Sequence, residues 1–241
     1  METKQIAQFY DGFVEQQQRL SYNERHYLLA HKLKSLGLGP RSNVLELGCG
    51  IGVMTSLIAE VVTEGRLVAS DLSSTSVEVA RKRLAGHANV DLLAGDLTEF
   101  SYPGVDFDFV TLFDVLEHVP IAVHDRVFRT LAAHMTPKTQ LFINIPSPEQ
   151  LEHLIATEPH TLQIVDQPLP ADTILKHAYA SALTLRYFET YSIWYEGDYQ
   201  MMLFGRKQPF TNVKVERRDP FLSRVTRRLR RLVRGSSARR T

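Results

Sequence analysis

A chain of 241 residues with 44% hydrophobic side chains can bury a sizeable core, which excludes wholesale disorder. Its one cysteine, Cys49, excludes an internal disulfide framework and a cysteine-rich zinc site, and fits a reducing compartment. The formal charge of +1 conceals an asymmetry: residues 1–205 hold 15 Lys/Arg against 25 Asp/Glu, and residues 206–241 hold 13 against 2. The N-terminal METKQIAQFYDGF lacks the apolar segment of a signal peptide, and no apolar run is long enough to span a bilayer. A cytoplasmic protein with an acidic body and a basic tail is the expectation.

Residues 3–36 read as helix in two parts with a break near Ser21. Ile6, Phe9, Tyr10, Phe13 and Val14 recur at helical spacing, as do Tyr27, Leu28, His31 and Leu36. Gly37, Gly39 and Pro40 close that region. Strands and helices then alternate: strand 43–47, helix 53–62, strand 66–70, helix 74–85 with Ser73 or Ser74 as N-cap, strand 90–94, strand 107–113, helix 122–134 stopped by Thr136-Pro137, and strand 140–145 closed by Pro146. The strands are short, apolar and β-branched, as in a parallel sheet covered on both faces. Helices are expected at 149–156 and 171–182. The segments LRYFETYSIWYEG and YQMMLFGRK then flank Gly197-Asp198, which reads as a hairpin turn.

The stretch VLELGCGIG, residues 44–52, carries the first chemistry. A strand, a glycine turn and a helix together present backbone N–H groups and a helix N-terminus to a ligand, and glycines let that backbone approach closely. A dinucleotide site wants G-x-G-x-x-G. Here the third glycine comes one position early, and Val53 stands where that pattern wants Gly. A carboxylate at Glu46 would repel a pyrophosphate but suits a ligand with a cationic end.

This combination resembles the class I S-adenosylmethionine (SAM)-dependent methyltransferases, whose first motif, roughly E/D-x-G-x-G-x-G, is matched without a gap by Glu46, Gly48, Cys49, Gly50 and Gly52. The resemblance covers about residues 40–207. It implies a Rossmann-like, doubly wound α/β sheet of seven strands with an antiparallel last strand, with an N-terminal helical cap or lid over 1–39 and an acceptor-pocket insertion at about 147–190; the basic tail at 208–241 lies beyond the resemblance. It implies SAM as cofactor and no metal. Asp71, nineteen residues after Gly52, would take the ribose hydroxyls beside Leu72, or else cap the following helix. Asp96 and Leu97 would meet the adenine, although Asp96 could be only a turn residue. Phe113 and Asp114, in FDFVTLFDVLEHVP, would lie along the methionine part, and LFINIPS supplies the fifth strand. Tyr10 and Arg25 are further expected cofactor contacts, from a segment 2–27 folding over the site. Cys49 reads as a small buried filler, because Glu46 would disfavour its thiolate.

Methyl transfer from a sulfonium needs orientation and desolvation, and a protonated acceptor can also need a base. His118 is the expected base, with Glu117 beside it; the alternative is that His118 only shapes the pocket. His153, His160 and His177, and the aromatic residues Tyr10, Tyr22, Tyr179, Tyr187 and Trp194, are available to an acceptor pocket or to packing. The expected reaction is O-methylation of a hydroxyl on a small or lipid-linked acceptor, of sugar, quinone or polyketide type. The alternatives are an RNA or protein methyltransferase anchored by the tail, and a non-catalytic SAM-binding protein. No N/D-P-P-Y/F segment follows the fourth strand, which weighs against base-amino methylation. In the tail, Phe221, Leu222, Val225, Leu229, Leu232 and Val233 form an apolar stripe among arginines. That pattern over 217–234 fits an anionic membrane surface on the cytoplasmic side, with nucleic acid or a solvated tail as the other readings.

Overall fold

The structure is a computed structural model that describes Gln5, Ile6, Phe9, Gly12 and residues 22–212. The break near Ser21, Tyr10 and the amphipathic stripe at 217–234 lie outside the described residues. The chain divides into a unit of residues 1–207 and a second of 208–241, and the first unit holds every described helix and strand.

The described helices and strands run α1 (Glu24–Ser35), β1 (Val44–Leu47), α2 (Val53–Ala59), β2 (Leu67–Asp71), α3 (Ser74–Arg83), β3 (Val90–Ala94), β4 (Phe107–Phe113), α4 (His124–Ala133), β5 (Met135–Pro146), α5 (Pro148–Thr157), α6 (Ala171–Ala180), β6 (Leu183–Tyr191) and β7 (Tyr199–Arg206). They form one seven-stranded sheet in the order β3-β2-β1-β4-β5-β7-β6. Strands β1 to β5 pair in parallel, and β7 runs antiparallel to both β5 and β6. The seven strands and the reversed last strand are those the family resemblance implies.

Period-2 alternation explains the two layers. Leu45, Val110, Leu141, Ile143 and Met202 face a core built with Val127, Phe128 and Leu131 of α4 and Ile174 and Ala178 of α6. Their neighbours Val44, Phe109, Phe142 and Met201 face the opposite core, with Leu29 and Leu33 of α1 and Met54, Leu57 and Ile58 of α2. A strand buried on both faces has no polar side to alternate with, hence its continuous apolar run.

Two boundaries differ from the sequence expectation for physical reasons. Pro137 does not stop a helix; it lies inside β5, which begins at Met135, where Pro137 and Lys138 are exposed and the register with β4 is irregular between Phe107 and Phe109. A proline that donates no ladder hydrogen bond is tolerated at such an irregularity. Gly197-Asp198 is not a two-residue turn. Residues 192–198 form the β6–β7 connection, and buried Asp198 organises it by accepting from the N–H groups of Ile193, Trp194 and Tyr195 at 2.8, 2.9 and 3.1 Å.

Candidate functional site

The chain leaves β1, moves outward to β2 and β3, and returns to β4 on the other side of β1. That reversal opens a crevice beyond the carboxyl ends of the strands, where ligands of open α/β sheets bind. A cavity with about 950 Å³ of atom-free space open to solvent lies there. Its wall follows the strand order. Gly95, Asp96 and Leu97 follow β3, Asp71 and Leu72 end β2, Gly48 and Gly50 follow β1, and Asp114, Val115 and His118 follow β4. With strands about 4.8 Å apart, the wall spans roughly 14 Å.

The glycine loop is shaped by its neighbours. Gly48 has φ 83°, and a Cβ there would stand 2.2 Å from a Val115 methyl carbon, so only glycine fits. Gly52 is off the cavity wall. It opens α2 at φ 79°, and a Cβ on it would meet the Ala80 Cβ at 3.0 Å, so its glycine serves the packing of α2 on α3. Four of the loop N–H groups are engaged within the protein. Gly48 and Cys49 donate to the Ser70 carbonyl at 2.7 and 3.0 Å, Gly50 donates to Asp71 Oδ2 at 2.8 Å, and Gly52 donates to the Cys49 carbonyl at 2.9 Å. A phosphate cradle needs such donors free; these are spent on holding the loop against β2.

Asp71 is that link. Its Oδ1 also accepts from Ser73 N–H at 2.9 Å. The cap of α3 is Ser73, whose hydroxyl accepts from Ser76 N–H, not Asp71 itself. Asp96 lines the wall, and its Oδ1 accepts from Thr98 N–H at 2.8 Å, a turn that fixes its loop.

Besides Gly52, four expected contacts stand off the cavity wall. Glu46 is 2% exposed, behind the wall, and burial, opposed by the Thr55 hydroxyl and reinforced by Asp71, pushes its carboxyl up to about 7. It therefore exerts no full negative charge on the cavity at neutral pH. Cys49 is buried, and burial, then Asp71 and Glu46, holds its thiol well above the ordinary range, as a filler requires. Phe113 packs edge-on against Phe142 at 5.0 Å on the α1/α2 side, because strand alternation turns it away while Asp114 lines the cavity. Arg25 stands behind Asp114, pairing its Nη1 with Asp114 Oδ2 and with the Tyr199 hydroxyl, both at 2.9 Å.

His118 lines the cavity and is locked from outside it. Its Nδ1 lies 2.8 Å from both Asp166 Oδ1 and the Val165 carbonyl. Its Nε2 meets the Gln163 amide at 3.1 Å. The Gln163 Oε1 has no other partner, so the amide that turns this oxygen to Nε2 satisfies both groups. Burial lowers the His118 pKa, but Glu117 and Asp166 outweigh it and push it up to about 9. Asp166 and the Val165 carbonyl at Nδ1 thus favour the protonated ring, which presents a donor to Gln163. Among the lining residues the ionisable groups are Asp71, Asp96, Asp114 and His118, with no Lys or Arg.

The remaining candidates stay apart. His153 and His160 are exposed, and His177 packs against His124 and Phe128. Tyr179, Tyr187 and Trp194 are exposed, and Tyr22 hydrogen-bonds Ser56 at 2.8 Å against the α2 face. Asp166 and Gln163, which hold His118, are the residues of this site the sequence did not reveal. They sit in QIVDQP, a segment without periodicity, and only the fold carries them to His118.

A family model described as a methyltransferase domain matches residues 44–138. A demethylmenaquinone methyltransferase of Lysinibacillus sphaericus is 30% identical over 89 residues, covering 36% of this chain and 38% of that one. A malonyl-[acyl-carrier protein] O-methyltransferase of Priestia megaterium is 30% identical over 95 residues, covering 39% and 32%. The matches thus span about a third of these relatives' length. Among solved structures, a SAM-dependent methyltransferase from Clostridium acetobutylicum superposes with TM-score 0.63 at 13% identity, over 85% of this chain and 99% of that one. The N-methyltransferase NodS from Bradyrhizobium japonicum, in complex with S-adenosyl-L-homocysteine, gives 0.61 at 21% identity, over 79% and 91%. These two likenesses are of fold.

Proposed function

We propose, from the premise that this chain belongs to the class I SAM-dependent methyltransferases, that it transfers a methyl group from SAM to a small or lipid-linked acceptor. The observation that carries this reading is the composition of the cavity wall, the carboxyl groups of Asp71, Asp96 and Asp114 with no Lys or Arg, around a glycine loop four of whose N–H donors are engaged within the protein. Such a wall disfavours a pyrophosphate and favours a ligand with cationic groups and hydroxyls. SAM, the cofactor of the family, fits it. Asp71 and Leu72 would hold the ribose, Asp96 and Leu97 the adenine, and the Gly48–Gly50 turn would lie against the amino-acid end.

When bound, SAM supplies an electrophilic methyl group on a sulfonium. The protein's residues supply the rest. The wall orients the cofactor along the strand ends, the glycine loop admits it closely, and Val115, Val119 and Val123 exclude water at the β4 end. O-methylation of a hydroxyl is the finer reading; the related malonyl-[acyl-carrier protein] O-methyltransferase supports transfer to oxygen, although a malonyl group offers a carboxylate oxygen rather than a hydroxyl. The quinone relatives support a lipid-linked acceptor. The arginine-rich sequence of 217–234 fits an anionic membrane surface, where a lipid-linked acceptor would reside. No helix among the described residues is long and apolar enough to cross a membrane.

Titration calorimetry tests the cofactor. SAM is expected to bind and NAD not to, and Asp71→Ala is expected to weaken SAM at least about tenfold, which is ~1.4 kcal/mol. Absence of SAM binding to the unaltered chain would sink the proposal.

A further inference from the structure

At the β4 end of the cavity one carboxylate is only half used. Asp114 follows β4 with φ 54°, one of two non-glycine residues in the left-handed region among the described residues. Few residues with a side chain adopt this conformation, Asp and Asn more readily than most, and here it turns the chain sharply at the end of β4. Its N–H is tied to the Asn144 carbonyl at 2.8 Å, which fixes the turn. Arg25 holds Oδ2 at 2.9 Å. Oδ1 is buried and meets no donor, although Asp114 lines the cavity. A buried acceptor left unmatched is costly, and a ligand that donates to it removes that cost.

Two further observations give this oxygen its task. Strand order puts β3 and β2 at the end expected to hold adenosine, and β4 at the opposite end, where the methyl group would stand. The neighbouring imidazole has Nδ1 occupied by Asp166 and Nε2 by Gln163, so it offers no lone pair to an incoming proton.

Resting on the methyltransferase reading above, we propose that Asp114 anchors the acceptor. Its Oδ1 accepts the hydrogen bond of the acceptor's O–H or N–H group and then takes that proton. In the step, a bond forms between the acceptor O or N and the methyl carbon, the carbon–sulfur bond breaks, and its electron pair stays on sulfur. The acceptor proton passes to the Asp114 carboxylate and from there to solvent. Arg25 is a positioning residue: it fixes Oδ2 so that Oδ1 is the oxygen left for the acceptor. The substrate class is therefore an acceptor that bears an O–H or N–H at the reacting atom.

Two ligands of the cofactor site test this by calorimetry without turnover. S-adenosylhomocysteine has a neutral sulfur and no methyl group. Sinefungin shares its adenosine and amino-acid ends but places an amine where the transferred methyl would be. Asp114→Asn, whose short polar side chain tolerates φ 54°, is expected to bind S-adenosylhomocysteine within about twofold of the wild type and sinefungin at least about tenfold more weakly. Equal loss of both ligands would assign Asp114 to the cofactor's amino-acid end and overturn the proposal, as would no loss of either. If the Asn variant does not unfold cooperatively, Asp114→Gly, free to adopt this φ, takes the same test. Failure of the wild type to bind either ligand would overturn the cofactor reading first, and this assignment with it.

Discussion

The charge on His118 has a thermodynamic signature. Its folded pKa of about 9 lies above the unfolded value of about 6.5. The stability it contributes is complete below about pH 6.5 and is lost as pH rises through about 9. The wild type's advantage over His118→Gln is therefore expected to shrink by on the order of 2 kcal/mol from about pH 6 to about pH 10. Urea denaturation across that range measures it, and a flat difference would mean that Asp166 does not hold a charged ring. The Glu46 pKa is also raised, here by burial rather than by a partner of opposite charge. Burial raises its carboxyl to about 7, above an unfolded value near 4.3, so ionisation costs stability progressively above about pH 4.3. Glu46→Gln is expected to match the wild type near pH 4 and to exceed it near pH 8 by on the order of 2 kcal/mol. A variant that is less stable at both pH values would show that the carboxylate is needed as an anion.

Single elements depend on a few polar groups that close their ends. Asp198 accepts three backbone N–H groups in the β6–β7 connection, while its own carbonyl receives the Ser147 N–H at 2.9 Å. Removing a buried acceptor strands its donors, so Asp198→Ala is expected to cost about 3 kcal/mol, and Asp198→Asn less, in thermal or urea unfolding. A cost within about 0.5 kcal/mol would mean that the loop is held by other contacts. The prolines show how sequence alone misplaces element boundaries. Pro146 ends β5 as expected and Pro148 starts α5, but Pro137 sits within a strand where the register slips. Local chemistry makes Pro137 a breaker, and the neighbouring strand decides otherwise.

For the whole molecule the dominant feature is the separation of charge along the chain, acidic before residue 206 and basic after it. A basic amphipathic stripe gains about 1 kcal/mol per arginine near an anionic lipid surface, and screening removes that gain. The full chain is expected to sediment with phosphatidylglycerol vesicles at low salt, to release at high salt, and to ignore phosphatidylcholine vesicles. Equal binding to both vesicle types would refute a charge-driven membrane contact. Release from anionic vesicles by RNA would point to nucleic acid instead.

The α/β architecture and the seven-stranded sheet with its antiparallel last strand were legible in the sequence, as was the nearness of Gly48, Gly50, Asp71, Leu72, Asp96 and Leu97 to strand ends. Hydrophobic periodicity and short glycine motifs are local signals, and each of these residues immediately follows or ends a strand whose identity is local too. What lay beyond the sequence was every relation between distant segments. The partnership of His118 with Asp166 spans a loop, that of Arg25 with Asp114 joins α1 to the end of β4, and the side to which Phe113 turns depends on the pleat of β4 within the sheet. Ionisation belongs to that second class. The charge of His118 and the near-neutrality of Glu46 arise from burial and from neighbours remote in sequence, so only the tertiary structure decided which groups face the cavity as ions.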